Sequence, residues 1–348
     1  MLRADRDLIA FEQRGTRYSE PFLFCDEALA LFLRSFQEEF SEEDEVRLSV
    51  EAYDACKTRL EGEGINLAAF NSEENARDVA DLATALGYEQ LNFYGVSYGT
   101  MLGQHLVRLH PEVVRTFTLD GIVPLNVNAF QRAAQSLNHS LDQLFATCAA
   151  DTNCNQYYPN LEQVLFDTVA QLNETPLPIV VSDIETGTSY NTTLDGDALF
   201  DIVAELFYAT DAIPILPKMI YDARDGDVNL PEIVTSLLAI DRTMSEGMYF
   251  SVACAEEYFY DEPILDSVRP MLAESGQSDT DAINQICAGW NVPRLDPAAD
   301  NPVVTDIPAL LMSGSFDPVT PPPFGAEVAS HLGNVTNVVF PANGHGAF

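Results

Sequence analysis

The chain has 348 residues and a mass of 38.3 kDa, and 47% of its residues are hydrophobic, 20% charged and 10% aromatic. That is enough apolar material for a sizeable core, which excludes a disordered or low-complexity scaffold. Its 17 basic and 54 acidic residues leave a formal charge of −37, which repels phosphates and anionic headgroups and excludes a nucleic-acid partner.

Lys57 and Lys218 are the two lysines in the sequence, and an acid-rich, lysine-poor surface suits salty surroundings. No stretch reaches the roughly 18 to 20 apolar residues of a membrane span. The start, Met1-Leu2-Arg3-Ala4-Asp5, has no apolar h-region and so reads as carrying no signal peptide. Six cysteines nevertheless fit an oxidising compartment. They permit about 15 connectivities that sequence does not choose between. Proximity favours Cys25 with Cys56, Cys148 with Cys154 and Cys254 with Cys287, against the alternative of buried free thiols. No metal is expected, because no CxxC occurs and His105, His110, His139, His331 and His345 are scattered. Sequons at Asn138, Asn173, Asn191 and Asn334 matter only in a eukaryotic secretory route.

The run Leu8-Ile9-Ala10-Phe11 reads as a buried strand delivering Glu12-Gln13-Arg14-Gly15 at its carboxyl end. From Asp26 to Leu60 the apolar residues recur at helical spacing. Ser72 looks like the cap of a helix running to Leu86, with Gly87 as its stop. Gln90 to Val96 reads as a strand, the residues after Ser97 to His110 as a helix, and Val113 to Leu119 as the next strand. This alternation is the rhythm of a parallel α/β sheet.

From Asn126 to Asn301 the pattern becomes mainly helical, with loops from Pro176 to Asp195. The α/β signal returns with a strand at Ile307–Met312, helical spacing from Phe324 to Leu332, and a last strand at Asn337–Phe340. The expected division is therefore an α/β core over residues 1–124 and 303–348, interrupted by a helical cap over 125–302.

Gly95-Val96-Ser97-Tyr98-Gly99 matches G-x-S-x-G between a predicted strand and a predicted helix, where a nucleophile elbow must sit. Serine needs a base to take its proton and a carboxylate to orient that base. His345 and Asp317 both follow predicted strands, and the order Ser97, Asp317, His345 is that of α/β-hydrolases. Asp120 is the competing acid, since it too ends a predicted strand. The amide of Tyr98, at the helix start, is the candidate oxyanion donor.

These residues resemble the α/β-hydrolase-fold serine exopeptidases of the prolyl aminopeptidase and secreted tripeptidyl aminopeptidase type. The resemblance runs over nearly the whole chain. It is carried by Glu12-Gln13-Arg14-Gly15-Thr16, Gly95 to Thr100, Leu119 to Pro124, Ser251 to Glu256, Gly314 to Pro322 and Gly344-His345-Gly346. It implies a Ser97, Asp317, His345 triad, a helical cap, no cofactor, and release of single residues (often proline) or tripeptides from free peptide N-termini through an acyl-enzyme. It also implies a secreted or periplasmic protein. Glu256 and Glu257, in the stretch resembling the cap motif, are the candidates for the substrate ammonium.

The sequence departs from the family at Glu12 and Arg17, and it has no glycine-rich H-G-G-P-G-like loop. Several N-terminal strands and a final helix are also absent, so a fragment is expected. Two alternatives stand beside the exopeptidase: a carboxylesterase or other acyl hydrolase with the same triad, and a non-catalytic binding protein on the same fold. The oligomeric state is not readable from the sequence.

Overall fold

The computed structural model describes residues 6–257, 265 and 267–347. Residues 1–5, read above for a leader, and the closing Phe348 lie outside the described residues. The expected single helical stretch from Asp26 to Leu60 is divided into α1 (Asp26–Ser35) and α2 (Glu42–Gly62). Ser41 caps α2, its hydroxyl accepting the Asp44 N–H at 3.2 Å. Helix α3 (Ser72–Leu86) is capped by Asn71, whose side-chain oxygen accepts the Glu74 N–H at 2.9 Å. Ser72, expected as the cap, is instead a buried first-turn residue, and Gly87 ends the helix as expected, at φ +80°.

The chain then forms β1 (Leu91–Val96), α4 (Tyr98–Leu109) and β2 (Val114–Asp120). Seven of the next elements are helical: α5 (Ala133–Ala150), α6 (Thr152–Tyr157), α7 (Leu161–Glu174), α8 (Gly196–Leu206), α9 (Leu216–Arg224), α10 (Asn229–Leu238) and α11 (Glu246–Glu256). Helix α12 (Pro270–Trp290) closes the segment. The loops expected from Pro176 to Asp195 are corrected to an antiparallel hairpin, β3 (Leu177–Ser182) with β4 (Ser189–Leu194). Ile179 and Val181 alternate into the core while Pro178 and Val180 face out, and that period of two outweighs the turn-prone flanks. Leu141, Leu165, Leu172, Leu199, Val203 and Met219 lie at the centre of a hydrophobic cluster built from this segment.

Strand β5 (Ala309–Gly314), helix α13 (Pro322–Ala329) and strand β6 (Val335–Phe340) complete the chain. β1, β2, β5 and β6 form a parallel sheet in the order β1-β2-β5-β6. Val96 pairs with Asp120, Asp120 with Met312, and Gly314 with Phe340, so the carboxyl ends lie side by side. That edge is where open α/β sheets hold their ligands. Val79 and Ala83 of α3, Leu102 and Leu106 of α4, Phe117 and Leu119 of β2 and Leu311 of β5 pack into the core against the sheet.

The strand expected at Leu8–Phe11 does not form, and Leu8 and Ile9 are exposed. An apolar run becomes a strand only against a neighbour that takes its backbone hydrogen bonds, and β1 is paired only with β2 among the described strands. The three disulfides join the pairs favoured by proximity. Two of them sit in a cluster where α1 and α2 meet α11 and α12, around Leu60, Phe250 and Trp290.

Candidate active site

Ser97 stands between β1 and α4 at φ +54° and ψ −123°, a backbone region that non-glycine residues rarely enter. Its amide donates to the Asp120 carbonyl at 2.9 Å, and its carbonyl accepts from the Thr100 N–H at 2.8 Å and the Thr100 hydroxyl at 2.7 Å. The Ser97 side chain makes no capping bond to α4, which leaves its Oγ for other partners. Gly95 is fixed by a close approach: a Cβ there would lie 2.2 Å from the Gly99 carbonyl oxygen. Tyr98 N–H belongs to the first turn of α4, where amides have no intrahelical acceptor. The Tyr98 hydroxyl is tied down, 3.0 Å from Ser72 Oγ and receiving the Asn75 amide at 3.1 Å.

Asp317 and His345 lie beyond β5 and β6. Their side chains meet at 2.9 Å, Nδ1 to Oδ2, with Asp317 fully buried and His345 one-tenth exposed. Asp317 Oδ1 accepts the amides of Val319 at 3.0 Å and Thr320 at 2.7 Å, and Oδ2 accepts the Thr320 hydroxyl at 2.7 Å. The same hydroxyl is 3.2 Å from His345 Nδ1. A carboxylate only accepts, so Nδ1 carries the hydrogen of this bond. Sequence reading missed Thr320, although Asp317-Pro318-Val319-Thr320 has the spacing of a side-chain-closed turn.

The loop of His345 folds over the ends of β1 and β2. A Cβ at Gly121 would be 3.1 Å from His345 Cε1, and one at Gly346 would be 3.6 Å from Val96 Cγ1. Asp120 Oδ1 accepts the Ala347 N–H at 2.8 Å and its Oδ2 accepts the Tyr94 hydroxyl at 3.0 Å. The competing acid thus holds the backbone beyond His345, while Asp317 holds the imidazole.

Glu256 and Glu257, at the end of α11, are each 5% exposed. Glu256 Oε1 accepts the Ser72 N–H at 2.7 Å, and burial first of all pushes its carboxyl up to about 7. Glu256 Oε2 lacks a hydrogen-bond partner and lies 4.0 Å from His105 Nε2. That is an ion-pair distance without an ion pair, because burial, and then the charge of Arg108, push His105 down to about 3. Glu257 Oε2 accepts the Ala129 N–H at 2.9 Å. Both glutamates line a small cavity with Met101, His105, Leu125 and Asp300.

A second set of acids lies on α8. Asp201 is pushed up to about 6 by desolvation among its neighbours, then by the charges of Asp279, Asp197 and Asp195, yet it remains open to solvent. Partial desolvation by its neighbours likewise raises Glu205, one turn further on, whose surface stays exposed.

A family model described as the alpha/beta hydrolase fold matches residues 1–348. Among curated proteins, the chain is 25% identical over 365 residues to "Serine protease Hip1" of Mycobacterium tuberculosis (strain ATCC 25618 / H37Rv), which takes in 94% of this chain and 66% of that protein. It is 31% identical over 121 residues to "Tripeptidyl aminopeptidase" of Streptomyces lividans, 34% of this chain and 22% of that one. The chain thus spans 66% of the length of the first of these relatives. A solved alpha/beta hydrolase from a Medee basin deep-sea metagenome library, MGS-M2, aligns with a TM-score of 0.34 at 13% identity. That alignment covers 80% of this chain and 66% of the other.

Proposed function

The chain belongs to the α/β-hydrolase fold family, and from that premise we propose that it is a serine peptidase acting through Ser97, His345 and Asp317. The observation that carries this reading is that the strained Ser97 at the end of β1 and the 2.9 Å His345–Asp317 pair lie at the same sheet edge. The curated relatives, a serine protease and a tripeptidyl aminopeptidase, support the peptide as substrate. The three disulfides support a secreted or periplasmic setting. Residues 125–302 act in this reading as a cap over the core.

Ser97 Oγ attacks the scissile carbonyl carbon while His345 Nε2 takes its proton, and Asp317 holds the imidazolium that forms. The oxyanion of the tetrahedral intermediate is received by Tyr98 N–H. Collapse breaks the C–N bond, His345 returns the proton to the leaving amine, and an ester to Ser97 remains. Water, deprotonated by His345, then hydrolyses that ester and restores the hydroxyl.

The finer reading is an aminopeptidase, in which a carboxylate meets the substrate's α-ammonium. Two sets are available. Glu256 and Glu257 require the substrate to reach the small cavity they line, whereas Asp201 and Glu205 are open to solvent on the helix just before the turn that touches Gly344 and His345. We assign the ammonium to the α8 pair, so Glu205→Gln should raise KM for free-amine peptides and Glu256→Gln should not; the reverse result returns the role to the α11 pair.

A fluorophosphonate probe read by intact mass tests the nucleophile. Labelling that disappears in Ser97→Ala supports the triad, and a folded wild-type chain that stays unlabelled refutes it in favour of a binding protein. A peptide panel with free and acetylated N-termini then separates exopeptidase from acyl hydrolase, since only the former loses activity on acetylation.

A further inference from the structure

The turn after α8 is seated on both loops that carry the proposed acid and base. Phe207 stacks on Phe316, the residue before Asp317, with ring centroids 6.4 Å apart and 17° between planes. The Phe207 carbonyl passes so close to Gly344 that a Cβ there would lie 2.1 Å from its oxygen. Thr210 Oγ1 accepts the Gly344 N–H at 3.1 Å. Between these contacts, the Tyr208 ring stands edge-on to the His345 imidazole, with centroids 5.1 Å apart and 65° between planes. That separation lies in the range of favourable edge-to-face aromatic pairs.

An imidazole hydrogen-bonded at Nδ1 alone can still swing about that bond, and a swing displaces Nε2 from a proton it must collect. Asp317 and Thr320 hold the Nδ1 side of His345, and the Gly121 backbone runs close enough to Cε1 that a Cβ there would lie 3.1 Å from it. Tyr208 supplies a further wall, one that belongs to the helical segment between β2 and β5 rather than to the sheet. It is 41% exposed, so it can be replaced without opening the core.

We propose that Tyr208 is a positioning residue for His345, holding the imidazole against rotation and making the docked helical segment part of the base's alignment. This rests on the Ser97, Asp317, His345 reading, but it concerns how the imidazole is held and can be read without turnover.

The test compares wild type, Tyr208→Phe and Tyr208→Leu by two readouts. The first is the low-field proton NMR signal of His345 Nδ1–H, identified by its loss in His345→Ala. The second is the rate of fluorophosphonate labelling. Tyr208→Phe should keep a sharp signal and label within about twofold of wild type. Tyr208→Leu should broaden the signal and slow labelling by about two- to tenfold, the range that an aromatic pair supplies. A sharp signal and a wild-type labelling rate in Tyr208→Leu overturn the proposal. A wild type that shows the signal but never labels refutes the nucleophile instead, and the NMR comparison still decides Tyr208. If Tyr208→Leu loses its cooperative melt, Tyr208→Met and Thr210→Val carry the same two readouts.

Discussion

At the scale of single residues, the proposed acid is embedded in more bonds than a triad requires. Asp317 receives two backbone amides and the Thr320 hydroxyl besides His345. A fully buried carboxylate needs such donors, because removing one leaves a lone pair with neither water nor partner, at about 1–3 kcal/mol. Thr320→Val keeps the shape and removes the donor. We expect labelling by fluorophosphonate to slow by about tenfold or more, since about 1.4 kcal/mol is a factor of ten in rate, with the chain still folded by circular dichroism. A rate equal to wild type would reduce Thr320 to a turn residue. Asp317→Asn should cost far more, about 10⁴-fold, because the amide favours the wrong tautomer. The chain order favours Asp317 over Asp120 although both follow strands, and the fold adds what no window contains: Asp120 accepts the Ala347 N–H and the Tyr94 hydroxyl.

At the scale of elements, what could be read in advance was what is encoded locally. The elbow is marked by glycines two residues either side of Ser97, of which Gly95 is fixed by its approach to the Gly99 carbonyl, and α3 by its cap and by Gly87, so a short window suffices for each. The β3–β4 hairpin escaped because Pro176, Pro178 and the polar turn conceal a short alternation. The strand read at Leu8–Phe11 failed because strand formation depends on a neighbour, which no window contains. The contact of Tyr208 with His345 joins the middle of the helical segment to the loop after β6 and leaves no local trace. Glu256 is a similar case: its carboxylate ties the end of α11 to the first turn of α3 through Ser72, a contact that leaves no local trace either. Its pKa rises from 4.5 to about 7 on folding, so the folded state binds the proton more tightly than the unfolded state does. Stability from this group is therefore lost as pH rises from about 4.5 to about 7 and regained on acidification. Glu256→Gln should raise the melting temperature relative to wild type at pH 8 and show no advantage at pH 4.5. A difference that does not change with pH would mean that the carboxyl is not desolvated.

At the scale of the whole molecule, the governing quantity is the net charge of −37, carried by 54 acids against 17 bases. The ion pairs that do form are mostly exposed or half-buried, such as Arg47 with Asp44 and Glu51 or Arg269 with Asp142 and Glu162. Exposed pairs contribute about 0–1 kcal/mol each, and salt weakens them. Repulsion among the surplus acids opposes folding, and because it is summed over many pairs at long range it outweighs the ion pairs at low ionic strength. The screening length falls from about 10 Å at 0.1 M to about 3 Å at 1 M salt, which removes the long-range repulsion first and the short ion-pair contacts last. Raising sodium chloride from low to molar concentration should therefore raise the melting temperature, with most of the gain complete before about 1 M. Potassium chloride should match sodium chloride if screening is the cause, while sulfate should go further by strengthening apolar burial. A melting temperature that falls with either chloride would mean that the paired residues, not the surplus acids, set the electrostatic balance of the fold.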